Sequence, residues 1–296
     1  MLETDLLERF HACRRYKQAR PWQKPFLNPV RFLRNQCRRR GLSGGATGSL
    51  EIVDAFHLPR LTVVLGEAVS AEIAAYGIYE ERLTEAFLRL ARPGQTVVDI
   101  GMHLGYYTAL FARLVGPQGA VHAFEPTPST REIAQRNVAQ FKNVTVHASA
   151  VWSSAKVIAF HDYGLQWMAF NSFTKARMEQ GPPEPTLLEV PTTSLDLFRS
   201  ETGRAIDLLK IDAESAEQEI LRGAEKMLAS DQPLVSLEVG DAPGENRSRQ
   251  LIDSLEAAGF RPWAFAVGRF SLHEPKEFYE YDNLIFAPKE RDLSKE

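Results

Sequence analysis

Short apolar runs rich in β-branched residues alternate along the chain with segments whose apolar residues recur every three or four positions. The second pattern predicts helices over residues 79–90, 130–141, 216–228 and 251–258. The apolar runs predict strands over residues 61–64, 96–100, 121–124, 143–150, 206–211, 234–239, 263–267 and 283–287. Residues 157–173 predict an aromatic hairpin insertion, followed by an exposed proline-rich loop over 181–185. This alternation predicts an α/β fold, in which helices cover both faces of a mostly parallel sheet.

Residues 96–126 contain, in order, a strand, a glycine turn, a helix, a second strand and an acidic residue. Asp99, Gly101 and Gly105 have the spacing D-x-G-x-x-x-G. Gly101 permits a tight turn, and Gly105 lets the next helix pack closely while the backbone approaches a ligand. Glu125 lies about twenty residues past the turn, where a carboxylate accepts hydrogen bonds from a ribose diol. The segment therefore predicts a nucleoside pocket.

Two nucleoside ligands compete for this pocket, and a third interpretation needs no ligand. A dinucleotide site uses G-x-G-x-x-G, whose amides and helix N-terminus hold a pyrophosphate. This chain instead has His103 and Leu104 within the turn, and Asp99 beside it would repel a pyrophosphate. S-adenosylmethionine has a sulfonium, an amino-acid end, a ribose and no phosphate, so the charges favour it. The remaining alternative is a glycine turn that only packs a helix on the sheet.

Composition favours a globular protein of a reducing compartment. The chain has 296 residues, 44% of them hydrophobic and 25% charged, with a net charge of −3. That suits one or two domains with a core that needs no disulfides. Cys13 and Cys37 lie far from the glycine turn, and no apolar run has the roughly twenty residues of a membrane span. Because no signal-peptide core is found near Met1, we expect a cytoplasmic protein.

The first forty residues differ from the remainder in charge. They contain eleven Lys or Arg residues and three acidic ones, a net charge of +8, interleaved with aromatic and aliphatic residues. One interpretation is a helical extension that packs its apolar side on the core. The other is an arm that contacts an anionic membrane surface or an acidic partner. Pro21, Pro25 and Pro29 should divide it into short pieces, and the acidic remainder argues against nucleic-acid binding.

Four motifs occur together: VVDIGMHLGYYT, AFEP, TTSLD over 192–196, and LLKIDAESAEQEILRGAEKML. Over roughly residues 79–239 the chain thereby resembles the FkbM family of S-adenosylmethionine-dependent O-methyltransferases. The resemblance implies a class I methyltransferase fold with a seven-stranded Rossmann-like sheet, and hydroxyl acceptors on sugars or secondary metabolites. His103 stands where the family usually has Asn, and Ser215 where it usually has Gly. We expect Ser215 to cap the following helix in place of a left-handed glycine turn.

The resemblance and the glycine turn together assign a donor site for S-adenosylmethionine. Its predicted residues are Asp99, Gly101, His103, Gly105, Tyr107, Thr108, Glu125, Pro126, Ser149 and Ala150. We expect residues 93–290 to form the methyltransferase domain, with an insertion near 157–190. Residues 1–48 would form the basic extension and linker, and residues 49–92 a strand and helical segment that packs on the core.

Methyl transfer to oxygen mainly requires alignment of the two substrates and removal of a hydroxyl proton. Asp212 follows a predicted strand and should orient or deprotonate the acceptor, with Glu214 beside it. A divalent cation such as Mg²⁺, held by Asp212, Glu214 and Glu238, is an alternative way to lower the pKa of that hydroxyl. The structural alternatives are a helix cap for Asp212 and a first-turn helix charge for Glu214.

The insertion offers candidate residues for the acceptor. Its aromatic residues are Phe160, Tyr163, Trp167, Phe170 and Phe173, with Asn171 and Ser172 as hydrogen-bonding groups. His161 is a further candidate base, whereas His122 and His147 fall within strands as core or face residues. The sequence thus predicts an O-methyltransferase that acts on a sugar, a glycosylated natural product or another secondary metabolite. The alternatives are an NAD-dependent oxidoreductase and a non-catalytic partner protein with the methyltransferase fold.

Overall fold

The computed structural model describes residues 2–45, 47–174, 183–213, 215–241 and 244–296. Its α-helices are α1 (Leu2–Gln18), α2 (Lys24–Leu27), α3 (Pro29–Ser43), α4 (Ala68–Tyr76), α5 (Glu81–Leu90), α6 (Tyr106–Val115), α7 (Pro128–Val138), α8 (Leu195–Thr202), α9 (Glu217–Arg222), α10 (Glu225–Asp231) and α11 (Arg247–Ala257). Its strands are β1 (Leu50–Val53), β2 (Leu61–Val64), β3 (Thr96–Ile100), β4 (Ala120–Phe124), β5 (Val144–His147), β6 (Ala150–Val151), β7 (Val157–Asp162), β8 (Thr186–Thr193), β9 (Leu208–Ile211), β10 (Leu234–Val239), β11 (Phe260–Ala266), β12 (Arg269–Leu272) and β13 (Asp282–Pro288). Two short 3₁₀ helices cover Leu165–Phe170 and Leu293–Lys295.

Eight strands form the main sheet in the order β12-β11-β13-β10-β9-β3-β4-β5. Neighbouring strands from β10 to β5 are parallel, whereas β13, β11 and β12 pair antiparallel. β4 and β5 follow on one side of β3, and β9 lies on its other side, so the strand order reverses at β3. Loops diverge at such a reversal, and a crevice opens at the carboxyl ends of the two central strands.

Helices cover both faces of this sheet, as the strand–helix alternation predicts. Val97 of β3 faces a core cluster that includes residues of α5, α6 and α7, while Val98 faces a second cluster with residues of α8 to α11. Leu208 and Leu209 of β9 divide between the clusters in the same way. Burial on both faces explains why these strands are continuously apolar.

Two elements of the sheet differ from the sequence prediction. The main sheet has eight strands, whereas the sequence predicted seven. The additional strand, β12, was missed because Phe270 is its only buried residue. The predicted single strand over 143–150 is two strands: β5 stays in the main sheet, and β6 pairs with β8 in a separate three-stranded sheet. An apolar pattern does not reveal that a chain changes sheets between two strands.

The insertion and the helix after β9 also differ in detail. β7 forms its antiparallel pair with β8, so the partner strand lies beyond the predicted hairpin over 157–173. Of the proline-rich loop, residues 181–182 lie outside the described residues. The helix predicted over 216–228 is divided at Gly223 into α9 and α10. The apolar spacing continues across this break, and periodicity therefore does not detect it.

Residues 2–43 form three helices separated near Pro21 and Pro29, as predicted, whereas Pro25 lies within the first turn of α2 and does not divide it. Leu6 and Phe10 of α1 are buried in the first core cluster. Within the described residues, none of the helices combines the length and the apolar character needed to cross a membrane.

Candidate active site

A cavity lies at the carboxyl ends of β3, β4, β9 and β10, where the order of the strands reverses. Its wall includes the predicted site residues Gly101, His103, Tyr107, Glu125, Pro126, Ala150 and Asp212, together with Glu238. These residues come from widely separated parts of the sequence. Parallel strands bring them together because their carboxyl ends all meet at one edge of the sheet.

Gly101 lies in the turn after β3, close to the segment that follows β9. Its φ is +76°, and a Cβ at this position would lie 1.8 Å from the carbonyl oxygen of Asp212. Any side chain would therefore displace the segment after β9, so both the turn and the cavity require glycine here. His103 also has a left-handed φ, +48°. The Asn usual in the family tolerates this conformation as well, so the departure to His preserves the turn.

Glu125 is a buried carboxyl group held by main-chain amides. Its Oε1 accepts a hydrogen bond of 3.0 Å from the Thr127 N–H, and its Oε2 accepts one of 3.2 Å from the His103 N–H. Burial raises the pKa of Glu125 to about 7, even though these amides favour the charged form. The glycine turn and the end of β4 thus fix one acceptor group in the cavity wall.

His103 presents an imidazole to the same cavity. Its Nε2 is buried without a hydrogen-bond partner among the described residues, and it lies 3.9 Å from Oε1 of Glu67. Burial lowers the pKa of His103 despite the neighbouring Glu67 carboxylate. A neutral imidazole with an unsatisfied nitrogen is suited to hydrogen-bond a polar ligand.

Four predicted donor-site residues lie outside the cavity wall: Asp99, Gly105, Thr108 and Ser149. Asp99 is fully buried, and its Oδ2 accepts a hydrogen bond of 2.6 Å from Thr108 Oγ1. Its Oδ1 lies 3.6 Å from Nζ of Lys210, which is itself in the wall. Asp99 and Thr108 therefore support the wall from behind, through Lys210.

Lys210 is the main site residue that sequence analysis missed. Its side chain is only 2% exposed, and Nζ lies 2.9 Å from Oδ2 of Asp212. Burial opposes its charge, but the carboxylates of Asp212 and Asp99 outweigh that effect and raise the pKa of Lys210. The available signal was a lysine within the otherwise apolar strand LLKI, because a buried lysine needs an acidic partner.

Asp212 has the opposite electrostatic environment to Glu125. Burial alone would raise its pKa, but the Lys210 ammonium and a hydrogen bond with Glu238 hold the pKa below its usual value. Its side chain keeps 31% of its surface exposed, so the carboxylate remains accessible from the cavity. Asp212 is therefore an ionised group at the end of β9, close to a second acidic side chain.

A polar rim formed by Glu80 and its hydrogen-bond partners lies near Asp212, and sequence analysis did not identify it. Tyr107 donates a hydrogen bond of 2.9 Å from its hydroxyl to Glu80 Oε2, and Asn283 donates one of 2.7 Å to Glu80 Oε1. Burial raises the pKa of Glu80, with the Asp212 carboxylate adding to the effect. Tyr281 also hydrogen-bonds Glu80 and lies in the cavity wall. These residues come from three distant segments, so no local motif connects them.

The insertion contributes only part of the predicted acceptor pocket. Phe160, Asn171 and Phe173 line the cavity, whereas Tyr163, Trp167, Phe170 and Ser172 do not. His161 also lies outside the wall and bridges to Ser172 through backbone hydrogen bonds. His122 and His147 lie in β4 and β5 with ring nitrogens 3.2 Å apart, as expected of strand residues.

Two further predictions concern the segment after Asp212. Glu214, the predicted catalytic partner, lies outside the described residues. Ser215 was expected to cap a helix, and that expectation is wrong: it has a left-handed φ of +82°, and α9 begins without a side-chain cap. The turn is imposed by its surroundings, so Ser215 adopts the strained conformation in which glycine is usual.

The cation site expected as an alternative has no support in the structure. Within the part of the chain that is described, no group of three or more His, Cys, Asp or Glu side chains is arranged to hold a metal ion. Asp212 instead pairs with the ammonium of Lys210. The positive charge beside Asp212 is therefore supplied by the protein.

The chain is similar to known methyltransferases. The chain is 29% identical to the 31-O-demethyl-FK506 methyltransferase FkbM of Streptomyces tacrolimicus over 204 residues, which is 59% of this chain and 77% of that protein. It is 28% identical to Methyltransferase 1 of Beauveria bassiana over 191 residues, 58% of this chain and 74% of that protein. The crystal structure of methyltransferase FkbM from Methylobacillus flagellatus KT aligns with a TM-score of 0.42 and 14% identity, covering 73% of this chain and 52% of that one.

The alternative of an NAD-dependent oxidoreductase is not favoured by these results. The glycine turn lacks the pyrophosphate-binding spacing, and the cavity behind it contains the carboxyl groups of Glu125, Asp212 and Glu238. The profile of the Methyltransferase FkbM domain matches residues 99–262, more than half of the chain and all of the strand ends that form the cavity. The chain therefore belongs to the FkbM family of methyltransferases.

Proposed function

We propose that this protein transfers the methyl group of S-adenosylmethionine to a hydroxyl group of a sugar, a glycosylated natural product or another secondary metabolite. The observation that carries the proposal is the placement of two different carboxyl groups in one cavity. Glu125 is held by amides beside the glycine turn, and Asp212 is ionised by Lys210 at the end of β9. The first suits a ribose diol, and the second suits a hydroxyl beside a cation.

The donor-binding part of the proposal rests on the fit of the cavity to the ligand's charges. When bound, S-adenosylmethionine supplies an activated methyl group on a sulfonium cation. Glu125 would accept hydrogen bonds from the ribose, and Nε2 of His103, which has no hydrogen-bond partner within the described part of the chain, would hydrogen-bond the amino-acid end. The acidic side chains of Asp212 and Glu238 favour a positively charged ligand nearby.

Asp212 is proposed to orient the acceptor hydroxyl. Its lowered pKa makes it a weak base, which suits a group that accepts the hydroxyl's hydrogen bond and takes the proton only as the new bond forms. Lys210 would keep Asp212 ionised and fixed in position, and its own raised pKa excludes it as the base. Phe160 and Phe173 could pack against the face of a ring in the acceptor.

Oxygen as the methyl-accepting atom has two supports. The Streptomyces relative is a 31-O-demethyl-FK506 methyltransferase, a name that places the methyl group on an oxygen of FK506. In this chain, an ionised carboxylate in the cavity wall matches the need to remove a hydroxyl proton. We place the activity in the cytoplasm, where the free thiols of Cys13 and Cys37 would stay reduced.

Isothermal titration calorimetry of the whole chain with S-adenosylmethionine, S-adenosylhomocysteine and NAD tests the donor. Binding of the two sulfur compounds but not NAD is expected, and binding of NAD alone would overturn the proposal. A screen of hydroxylated sugars and glycosylated metabolites with radiolabelled methyl donor then tests the acceptor. Donor binding with no product on any hydroxyl acceptor would favour a non-catalytic partner protein.

A further inference from the structure

Helix α3 contacts the rest of the protein mainly through polar side chains. Three of its polar side chains contact the protein: Arg31 Nη2 donates to the carbonyl oxygen of Asp54 at 2.9 Å, and Asn35 Nδ2 donates to that of Ala75 at 3.0 Å. On the same side, Arg38 Nε donates to the Glu51 carboxylate at 2.8 Å. None of the residues of α3 is buried. The helix is thus attached largely through polar contacts: Phe32 and Leu42 are half-buried, whereas its apolar residues Val30 and Leu33 are exposed.

Val30 and Leu33 add to the exposed apolar residues of α2, which contacts α3, and of the turn before α2. This outer face consists of Trp22, Phe26, Leu27, Val30 and Leu33, all of them exposed. Phe26 is 83% exposed and Trp22 64%, so each side chain projects into solvent. Exposed apolar residues concentrated in one short segment indicate a binding surface, since scattered ones would be the ordinary pattern.

The charge of the N-terminal arm restricts what its outer face can bind. Residues 9–50 contain eleven Lys or Arg residues and not one Asp or Glu. Arg15, Arg20, Arg39 and Arg40 are exposed. Residues 41–296 have a net charge of −11, against +8 for residues 1–40. An anionic surface would therefore attract this arm and repel the body, which orients the protein with the outer face forward.

We propose that the outer face docks the protein on an anionic phospholipid surface, with Trp22 and Phe26 inserted among the acyl chains and the arginines at the headgroups. Aromatic and aliphatic side chains beside basic residues are the pattern of interfacial helices. Separate projecting side chains suit a fluid lipid phase, which needs no complementary shape. This proposal stands independently of the methyl-transfer reaction, because none of these residues lines the donor cavity.

Sedimentation with vesicles of phosphatidylcholine alone, or mixed with phosphatidylglycerol, tests the proposal on the whole chain. Binding to the anionic vesicles is expected, with partial release as salt screens the charges. Trp22→Ser/Phe26→Ser should weaken binding at least about tenfold, and Arg39→Glu/Arg40→Glu should do the same. Val267→Ser, which removes a 90% exposed valine outside the arm, is the matched control and should bind like the native chain.

Brominated lipids identify the inserted residue directly. They should quench part of the tryptophan fluorescence of the native chain, and Trp22→Phe should remove that quenching while vesicle binding remains. Absence of binding to anionic vesicles, or equal binding to neutral ones, would overturn the proposal. So would a dimer in analytical ultracentrifugation that Trp22→Ser/Phe26→Ser dissociates without any change in sedimentation with vesicles, since a second copy would then cover the outer face.

Discussion

Glu125 and Asp212 occupy equivalent places in the sheet, but their pKa values are shifted in opposite directions. Each follows the carboxyl end of a parallel strand, β4 or β9, and each contributes to the wall of the same cavity. Burial raises the pKa of Glu125 to about 7, whereas the ammonium of Lys210 holds the pKa of Asp212 below its usual value against the same effect of burial. The neighbouring charge, and not the position in the fold, decides how each carboxyl ionises.

This difference in pKa suits the two carboxyl groups to different tasks within one cavity. Main-chain amides hold Glu125 as a fixed hydrogen-bond acceptor near the glycine turn. A lysine holds Asp212 as a permanent anion at the reversal point of the sheet. Two acids whose surroundings drive their pKa values apart are suited to different roles, here proposed as binding of the donor and handling of the acceptor proton.

Lys210→Met should give the largest effect, because it removes the cation that makes Asp212 differ from Glu125. Loss of one partner from a buried ion pair leaves uncompensated carboxylates, and we expect the free energy of unfolding to fall by about 3–5 kcal/mol. Urea denaturation measures this change. Lys226→Met, at an exposed position of α10, is the control and should unfold like the native chain. A Lys210→Met protein of native stability would contradict the ion-pair interpretation.

Asp212→Asn tests the acceptor side of the comparison. Asparagine keeps the shape of the side chain but takes up no proton, so turnover should fall on the order of a hundredfold while calorimetry shows nearly unchanged donor affinity. Asp253→Asn changes an exposed carboxylate on α11 and should keep full turnover. If Asp212→Asn is fully active, Asp212 has a structural role and the base lies elsewhere.

Glu125→Ala tests the donor side. Removal of a charged hydrogen-bond acceptor should weaken S-adenosylhomocysteine binding by about 1.5–3 kcal/mol, at least roughly tenfold in Kd. Glu132→Ala changes an exposed glutamate of α7 seven residues further along and should bind normally. Unchanged affinity in folded Glu125→Ala would remove this residue from the donor site.

The pH dependence of donor binding gives the smallest expected change. With a pKa of about 7, Glu125 is largely protonated at pH 6, whereas binding of the ribose diol favours its ionised form. The affinity for S-adenosylhomocysteine should therefore fall about tenfold from pH 8 to pH 6, and it should level off above pH 8. Calorimetry of Glu125→Gln over the same range should give a flat profile. A fall of equal size in that variant would assign the proton to another group.

Sequence patterns predicted most of the fold, because burial on both faces of a parallel sheet leaves continuous apolar runs between helices. They missed β12, where only Phe270 is buried, and they merged β5 with β6. Gly101, Glu125 and Asp212 were recognisable because each follows a strand at a spacing that local chemistry explains. The rim around Glu80 was not, since its partners Tyr107 and Asn283 are distant along the chain.

The sequence by itself determined the α/β alternation, the glycine turn, and the acidic residues after two strands, because these depend on periodicity and on local backbone geometry. Only the tertiary structure decided that Lys210 lies between Asp99 and Asp212, and that polar side chains attach α3 to the rest of the protein. The physical reason is that a pKa and a helix orientation depend on neighbours brought close by packing. A charge in a sequence acquires its role only when the fold supplies its partner.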